Sequence, residues 1–309
     1  MSERYDIVVV GKANVDFLVR GPRLPQPGQS VNGEQFQVAP GGKGANQAVG
    51  AARLGARVAL IARVGNDLRG DSVVEALLAE GVEIEHVVRD SSAFTGVALC
   101  QVGGNGEKQI LSAAGANARL SADDVRAAVD ALRSARVVLL QLGVPLPAVT
   151  EAIRIGRSAG ARVVLDPGPP APLPDELLGQ IDVIRPNCSE ALALTGVRVT
   201  GRDSAREAAA ALLRRGAGAA AVQAGEDGDL LSWNGGELWL PRFEVQRLDA
   251  TGAGDAFASA LAVALAEGRS LRESGPFASA AAALATTILG AQASLPRRAD
   301  LLAFLDARR

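Results

Sequence analysis

The chain has 309 residues, 48% hydrophobic and 21% charged, with a formal net charge of −2. This is ordinary globular usage, which excludes disorder and a collagen repeat, and the charge balance gives no pull toward nucleic acid or an anionic membrane. Two cysteines, Cys100 and Cys188, are too few for a disulfide framework and point to a reducing cytoplasm; one histidine, His86, leaves no imidazole set for a zinc site.

Residues 6–11 read as a buried strand ending in a glycine turn. From 14 to 41 the texture changes. Pro22, Pro25, Pro27 and Pro40 separate short alternating runs, which predict small, half-exposed strands. A helix is expected over 44–54, with Ala45, Ala48, Val49 and Ala52 on one face, then a strand over 58–64 and a helix over 69–80. His86 falls in an alternating stretch and reads as a strand or surface residue. A second patch of alternating strands covers 95–102 and 108–113, joined by a Gly-Gly-Asn-Gly turn. From 123 onward, helices at 123–134, 148–159, 189–195 and 205–215 alternate with strands at 137–141, 162–166, 183–185 and 219–224. A hairpin near 229–240 and two long Ala-rich helices, around 256–266 and 278–290, close the chain. No apolar stretch approaches a membrane span and no signal core is visible, so no membrane partner is expected. The repeated helix–strand units predict an α/β fold with a mostly parallel sheet and helices on both faces. The two β patches, alike in composition, predict one small sheet covering the main one.

In such folds ligands bind beyond the C-terminal ends of the strands. Asn14 and Asp16 follow the first strand, two residues apart, a spacing that suits a polyol and equally an Asx turn. Gly41-Gly-Lys-Gly-Ala-Asn46 leads into a helix. Its glycines permit close backbone approach, and Lys43 and Asn46 can hydrogen-bond hydroxyls. Lys12, Lys43 and Lys108 are the only lysines among 32 basic residues, which argues against a lysine placed here for surface charge alone. Gly252-Ala253-Gly254-Asp255 opens a helix with no bulky side chain in its first turn, so an oxyanion can reach the free amides. An aspartate beside such an anion either takes a proton from an attacking hydroxyl or simply caps the helix. The P-loop pattern fails, because Gly42-Lys43 is followed by Gly44. The Rossmann pattern fails, because Gly252-Ala-Gly254 has Phe257 at its third position.

Together these segments resemble the PfkB-type carbohydrate kinases, in particular the ribokinases. Gly41-Gly-Lys-Gly-Ala-Asn-Gln-Ala48 is similar to the family's N-terminal motif, and Asp249-Ala-Thr-Gly-Ala-Gly-Asp255 to its C-terminal motif. The resemblance implies a three-layer α/β/α fold with a β-sheet lid, divided as 1–13, 42–92 and 118–309 for the catalytic domain and 14–41 with 93–117 for the lid. It implies ATP as co-substrate, Mg2+, an activating K+ and a homodimer joined through the lid. It makes Asp255 the base, with Gly252, Ala253 and Gly254 as the anion hole. Asn14, Asp16, Gly42, Lys43, Asn46 and Asp255 would hold the sugar. Asn187, Gln223, Gly225, Gly228 and Gly254 would hold ATP, with Glu190 on Mg2+ through phosphate or water. The monovalent cation would lie at Asp249, Thr251, Ala285, Ile288, Gly290 and Ser294.

The chain departs from the family where Gly143 stands in place of a sugar-contacting glutamate. Losing one charge-assisted hydrogen bond costs about 1.5–3 kcal/mol. Ala250 replaces a common threonine, Gln223-Ala224 replaces a Thr-x pair, and Asp166-Pro-Gly-Pro169 differs from Asn-Pro-Ala-Pro. The expected activity is transfer of the ATP γ-phosphoryl to D-ribose. The alternatives are the same chemistry on another pentose, a ketohexose or a nucleoside, and a sugar-binding protein with weak catalysis.

Overall fold

A computed structural model describes residues 4–240 and 242–308. The chain begins with β1 (Ile7–Val10), β2 (Asn14–Arg20) and β3 (Gln35–Gly41), then α1 (Lys43–Arg53), β4 (Val58–Gly65) and α2 (Leu68–Ala79). β5 (Val87–Asp90), β6 (Gly96–Val102) and β7 (Lys108–Ala113) precede α3 (Ala122–Ala127) and α4 (Val129–Ser134). Alternation follows through β8 (Val137–Gln141), α5 (Leu146–Ser158), β9 (Arg162–Asp166), α6 (Asp175–Leu178), β10 (Val183–Ile184), α7 (Cys188–Thr195), α8 (Arg202–Arg214) and β11 (Ala219–Gln223). The hairpin β12 (Asp229–Trp233) and β13 (Gly236–Leu240) leads to α9 (Ala253–Ala266), α10 (Leu271–Ala285), α11 (Ala291–Ser294) and α12 (Arg298–Asp306).

The large sheet runs β13-β12-β11-β10-β9-β8-β1-β4-β5. It is parallel from β5 to β11, and antiparallel where β12 joins β11 and within the terminal hairpin. Its central strands are predominantly apolar because both faces are covered, as in β1 and β8. In β1, Ile7 and Val9 enter one core while Val8 and Val10 enter the other, and β8 repeats this with Val137 and Leu139 against Val138 and Leu140. Residues of α1, α2, α9, α10 and α12 fill the first core; residues of α3 to α8 fill the second. The two β patches of the sequence pair into one four-stranded sheet, β3-β2-β6-β7.

Several boundaries differ from the sequence expectation. The helix expected at 123–134 is two helices. Ala128 turns its amide to Val125 at 3.1 Å, a tighter i−3 bond that no proline or glycine announces. The last expected helix, 278–290, starts earlier and ends earlier as α10. Ser270 and Glu273 form a capping box that starts it, and Pro276 near the start is tolerated. Two further short helices, not two long ones alone, then close the chain. His86 lies half-buried in the turn before β5, a strand that alternation had not separated from its surroundings.

This topology places the ends of β1, β8, β9, β10 and β11 on one edge of the sheet, where α1 and α9 also begin. α9 is buried on all sides from Asp255 to Ala266. Its alanines let it lie between the sheet, α1 and α10. A Cβ at Gly50 of α1 would come within 2.5 Å of Ser259 Oγ on α9.

Candidate active site

Gly252 is the N-cap of α9, with φ 86° and no side-chain cap. A Cβ there would lie 2.8 Å from the Ala291 carbonyl oxygen, so glycine is required both by conformation and by space. Asp255, the third residue of the helix, therefore does not cap it. Its carboxylate turns across to α1, accepting from Asn46 Nδ2 at 2.8 Å and from Gln47 Nε2 at 3.0 Å. Burial raises the Asp255 carboxyl above the usual range. Lys43, Asn46 and Gln47 pull against that, and Asp166 adds to it.

The same Gln47 Nε2 donates to Asp166 Oδ2 at 2.8 Å, so one amide bridges two buried carboxylates. Asp166 ends β9 and is held on its other side by Lys43 Nζ, 2.7 Å from both carboxylate oxygens. Burial lowers the Lys43 ammonium, but Asp166, Asp255 and Glu190 outweigh it and its affinity for the proton rises. Lys43, expected to hold the sugar, is also paired with Asp166, with Glu190 Oε1 4.0 Å away.

Around this network polar groups remain open. Asp16 Oδ1 and Asn46 Oδ1 are buried and lack a hydrogen-bond partner among the described residues. Burial pushes the Asp16 carboxyl up to about 6, with Lys12 opposing and Asp255 adding to the rise. Gly42, φ 88°, brings α1 against the β1–β2 turn; a Cβ there would meet the Lys12 carbonyl oxygen at 2.8 Å. Asn117 donates to Asn14 Oδ1 at 2.8 Å and fixes that amide. A cavity of about 370 Å³ opens here between Lys12, Asn14, Asn117, Gly143 and Pro169.

A second cleft, of about 330 Å³, lies beyond β10 and β11, lined by Gln223, Gly225, Gly228, Ala253, Arg185 and Arg242 among others. Arg185 follows β10, stacks 4.9 Å from the Phe257 ring centre, and leaves its Nε buried without a partner among the described residues. A Cβ at Gly254 would approach its Nη1 to 3.0 Å, so this arginine borders the start of α9. Asn187 and Glu190 form the capping box of α7: Asn187 accepts from Glu190 N and Glu190 Oε2 accepts from Asn187 N, both at 2.9 Å. Burial raises the Glu190 carboxyl, with Lys43 opposing.

Beside the α9 start, Asp249 accepts from the Thr251 amide and hydroxyl at 2.9 and 2.7 Å and from the Gly290 amide at 3.0 Å. The Lys108 ammonium, from the small sheet, reaches both Asp249 and Thr251. Burial works upward on the Asp249 carboxyl, but these donors hold it below the usual range. Ser294 Oγ contacts the Thr251 and Ala291 carbonyls; Ala285 is buried at the end of α10, and Ile288 is exposed.

The structure therefore gathers Asp255, Asn46, Asp16, Asn14, Gly42 and Lys43 at one end, and Gln223, Gly225 and Gly228 in a neighbouring cleft. Sequence reasoning missed Gln47, Asp166, Asn117 and Arg185 as site residues. Gln47 stood inside the quoted motif, and Asp166 and Arg185 end strands, the position at which α/β folds place their ligands.

A family model described as pfkB family carbohydrate kinase matches residues 4–298. The chain is 40% identical over 303 residues to the ribokinase of Haemophilus influenzae, covering 98% of this chain and 99% of that one. It is 34% identical over 292 residues to the deoxyribokinase of Salmonella typhi, covering 94% of this chain and 95% of that one. The solved structure of Arabidopsis thaliana ribokinase complexed with ribose and ATP superposes with a TM-score of 0.88 at 34% identity, covering 98% of this chain and 99% of that one.

Proposed function

The chain belongs to the pfkB family of carbohydrate kinases, and from that premise we propose that it transfers the γ-phosphoryl of ATP to D-ribose, giving D-ribose 5-phosphate and ADP. The observation that carries this reading is Asp255: a buried carboxylate, basic for its kind, at the glycine-opened start of α9 and held by Asn46 and Gln47 of α1. Supporting it are the relatives named ribokinase and the homologue complexed with ribose and ATP.

Asp255 takes the proton of the sugar hydroxyl as that oxygen bonds to the γ-phosphorus and the bond to the ADP oxygen breaks. Asn46 and Gln47 hold the carboxylate in place. The amides of Gly252, Ala253 and Gly254 form the anion hole; the Ala253 amide also donates to the Ala250 carbonyl at a long 3.3 Å, and a helix start offers the Gly254 amide no acceptor within the helix. Asn14, Asp16, Gly42, Lys43 and Asn46 bind the sugar; the two orphaned oxygens of Asp16 and Asn46 are acceptors for its hydroxyls. Asn187, Gln223, Gly225 and Gly228 bind ATP, with Arg185 facing its phosphates. The small sheet, 14–41 with 93–117, closes as a lid over the rest and keeps water from the γ-phosphoryl.

Mg2+ supplies charge neutralisation on the phosphates. Among the described residues no group of three His, Cys, Asp or Glu side chains could hold a metal; Mg2+ brought by ATP would be held from the protein side by Glu190 through water. For K+ the cluster of Asp249, Thr251, Ala285, Ile288, Gly290 and Ser294 fits one positive charge, as the Lys108 ammonium on Asp249 illustrates. K+ would contest that position with Lys108, and equal rates in K+ and Na+ would overturn its role. No helix among the described residues is long and apolar enough to cross a membrane, and with two free thiols a cytoplasmic location is proposed. A homodimer is proposed through the outer face of the small sheet, where Phe36 and Leu111 are 65% and 73% exposed.

The test is an ADP-release assay with Mg-ATP and K+ on D-ribose, 2-deoxyribose, fructose, xylulose and adenosine. Ribose is expected to give the highest kcat/KM. Faster turnover of another sugar keeps the chemistry and overturns the substrate.

A further inference from the structure

The three lysines of the chain are not equivalent. Lys43 is neutralised by Asp166, and Lys108 by Asp249. The ammonium of Lys12, a half-buried residue, has no hydrogen-bond or ion-pair partner among the described residues, although Lys12 lines the 370 Å³ cavity. Its main chain is anchored, because its carbonyl accepts from the Ala45 amide at 3.1 Å.

The position of its side chain is explained by Gly143. A Cβ there would lie 2.8 Å from Lys12 Cδ, 3.2 Å from Cγ and 3.3 Å from Cε. Three carbons of the lysine stem therefore lie against a glycine that no larger residue could replace without displacing them. Gly143 is the seat of Lys12. The rest of that wall is neutral: Asn14, Asn117, Ser112, Leu142 and Pro169. Its lining includes Asn14 but not Asp255, Asp16 or Asn46, so it adjoins the sugar site on the Asn14 side and not on the side of the base. Asp16 feels the Lys12 charge, which opposes the rise of its carboxyl, but no hydrogen bond joins the two and Asp16 Oδ1 stays unpartnered among the described residues. An ammonium without a partner, on the wall of a cavity with room for a substituent, is a binding group for an anion.

We propose that Lys12, seated on Gly143, is a specificity-determining residue of the sugar site, and that it extends the range of bound sugars to those carrying a carboxylate at the end remote from Asp255. This rests on the sugar-kinase reading of the same site. The probes are D-ribonate, a sugar acid, and D-ribitol, its neutral analogue of equal chain length, titrated calorimetrically without ATP. The protein should bind ribonate about ten- to hundredfold more tightly than ribitol. Lys12→Met, which keeps the stem and removes the charge, should abolish the discrimination, and Lys12→Arg should keep it. Gly143→Ala, which pushes the stem aside, should reduce it. Equal affinities for the two probes in the wild type, or a preference that survives Lys12→Met in a variant with an unchanged melting temperature, would overturn the proposal. Because the titration needs no turnover, a protein that failed to phosphorylate ribose would sink the ribose reading and leave this measurement standing.

Discussion

The start of α9 and the small sheet meet at one site but are built in opposite ways. At the α9 start polar groups are buried and mutually bonded. Asn46, Gln47, Asp166 and Lys43 hold each other and Asp255, and Gln141 donates to the oxygen of Gln47. The small sheet has one face turned to this network, with Asp16 and Lys108. Its other face leaves Phe36, Val38, Leu99 and Leu111 exposed. The first region is preorganised by its own packing and needs no partner. The second leaves one face of its sheet open to solvent, which suits the proposed lid and dimer interface.

The comparison predicts severe effects in the first region and milder ones in the second. Asp255→Asn keeps the shape and removes the proposed base. The ADP-release rate should fall about 10²–10⁴-fold, while calorimetry still detects the sugar. Unchanged turnover would show that the base lies elsewhere. Gly252→Ala meets both a left-handed backbone and a carbonyl at 2.8 Å. It should lower kcat about 10²-fold and cost about 1–3 kcal/mol of stability in urea unfolding, with a wild-type rate as the contrary result.

Asp16 tests where the two regions touch. Its carboxyl stands at about 6 instead of 3.8. The fold thus binds this proton more tightly than the unfolded chain does. The group contributes its full stabilisation below about pH 4 and loses it as pH rises through 6, about 3 kcal/mol in all. The stability difference between wild type and Asp16→Asn should fall across that window. Parallel curves would mean that Asp16 is better solvated than its burial implies. The smallest effect on folding is expected at Phe36→Glu. It should leave monomer stability within about 0.5 kcal/mol yet convert a dimer to a monomer by light scattering. A monomeric wild type would remove the proposed interface.

Much of the fold was legible because its periodicities are local. Valine runs marked β1 and β8 as buried on both faces, and proline-broken alternation set the small sheet's strands apart. The break at Ala128 and the capped start of α10 escaped, since one depends on packing and the other on a capping box eight residues before the Ala-rich stretch. At the site, glycines and carboxylates at strand ends were readable as candidates. The bridge of Gln47 between Asp166 and Asp255 was not, because it joins residues 119 and 208 positions apart.

By itself the sequence determined the strand and helix periods, the two glycine-rich turns and the scarcity of lysine and histidine. All follow from residue type and spacing. Tertiary structure decided what each polar group does. It turned Asp255 away from capping and onto α1, put Lys43 on Asp166, and laid the stem of Lys12 against Gly143. These outcomes depend on which groups a buried charge can reach once water is gone, and only the folded chain brings those groups together.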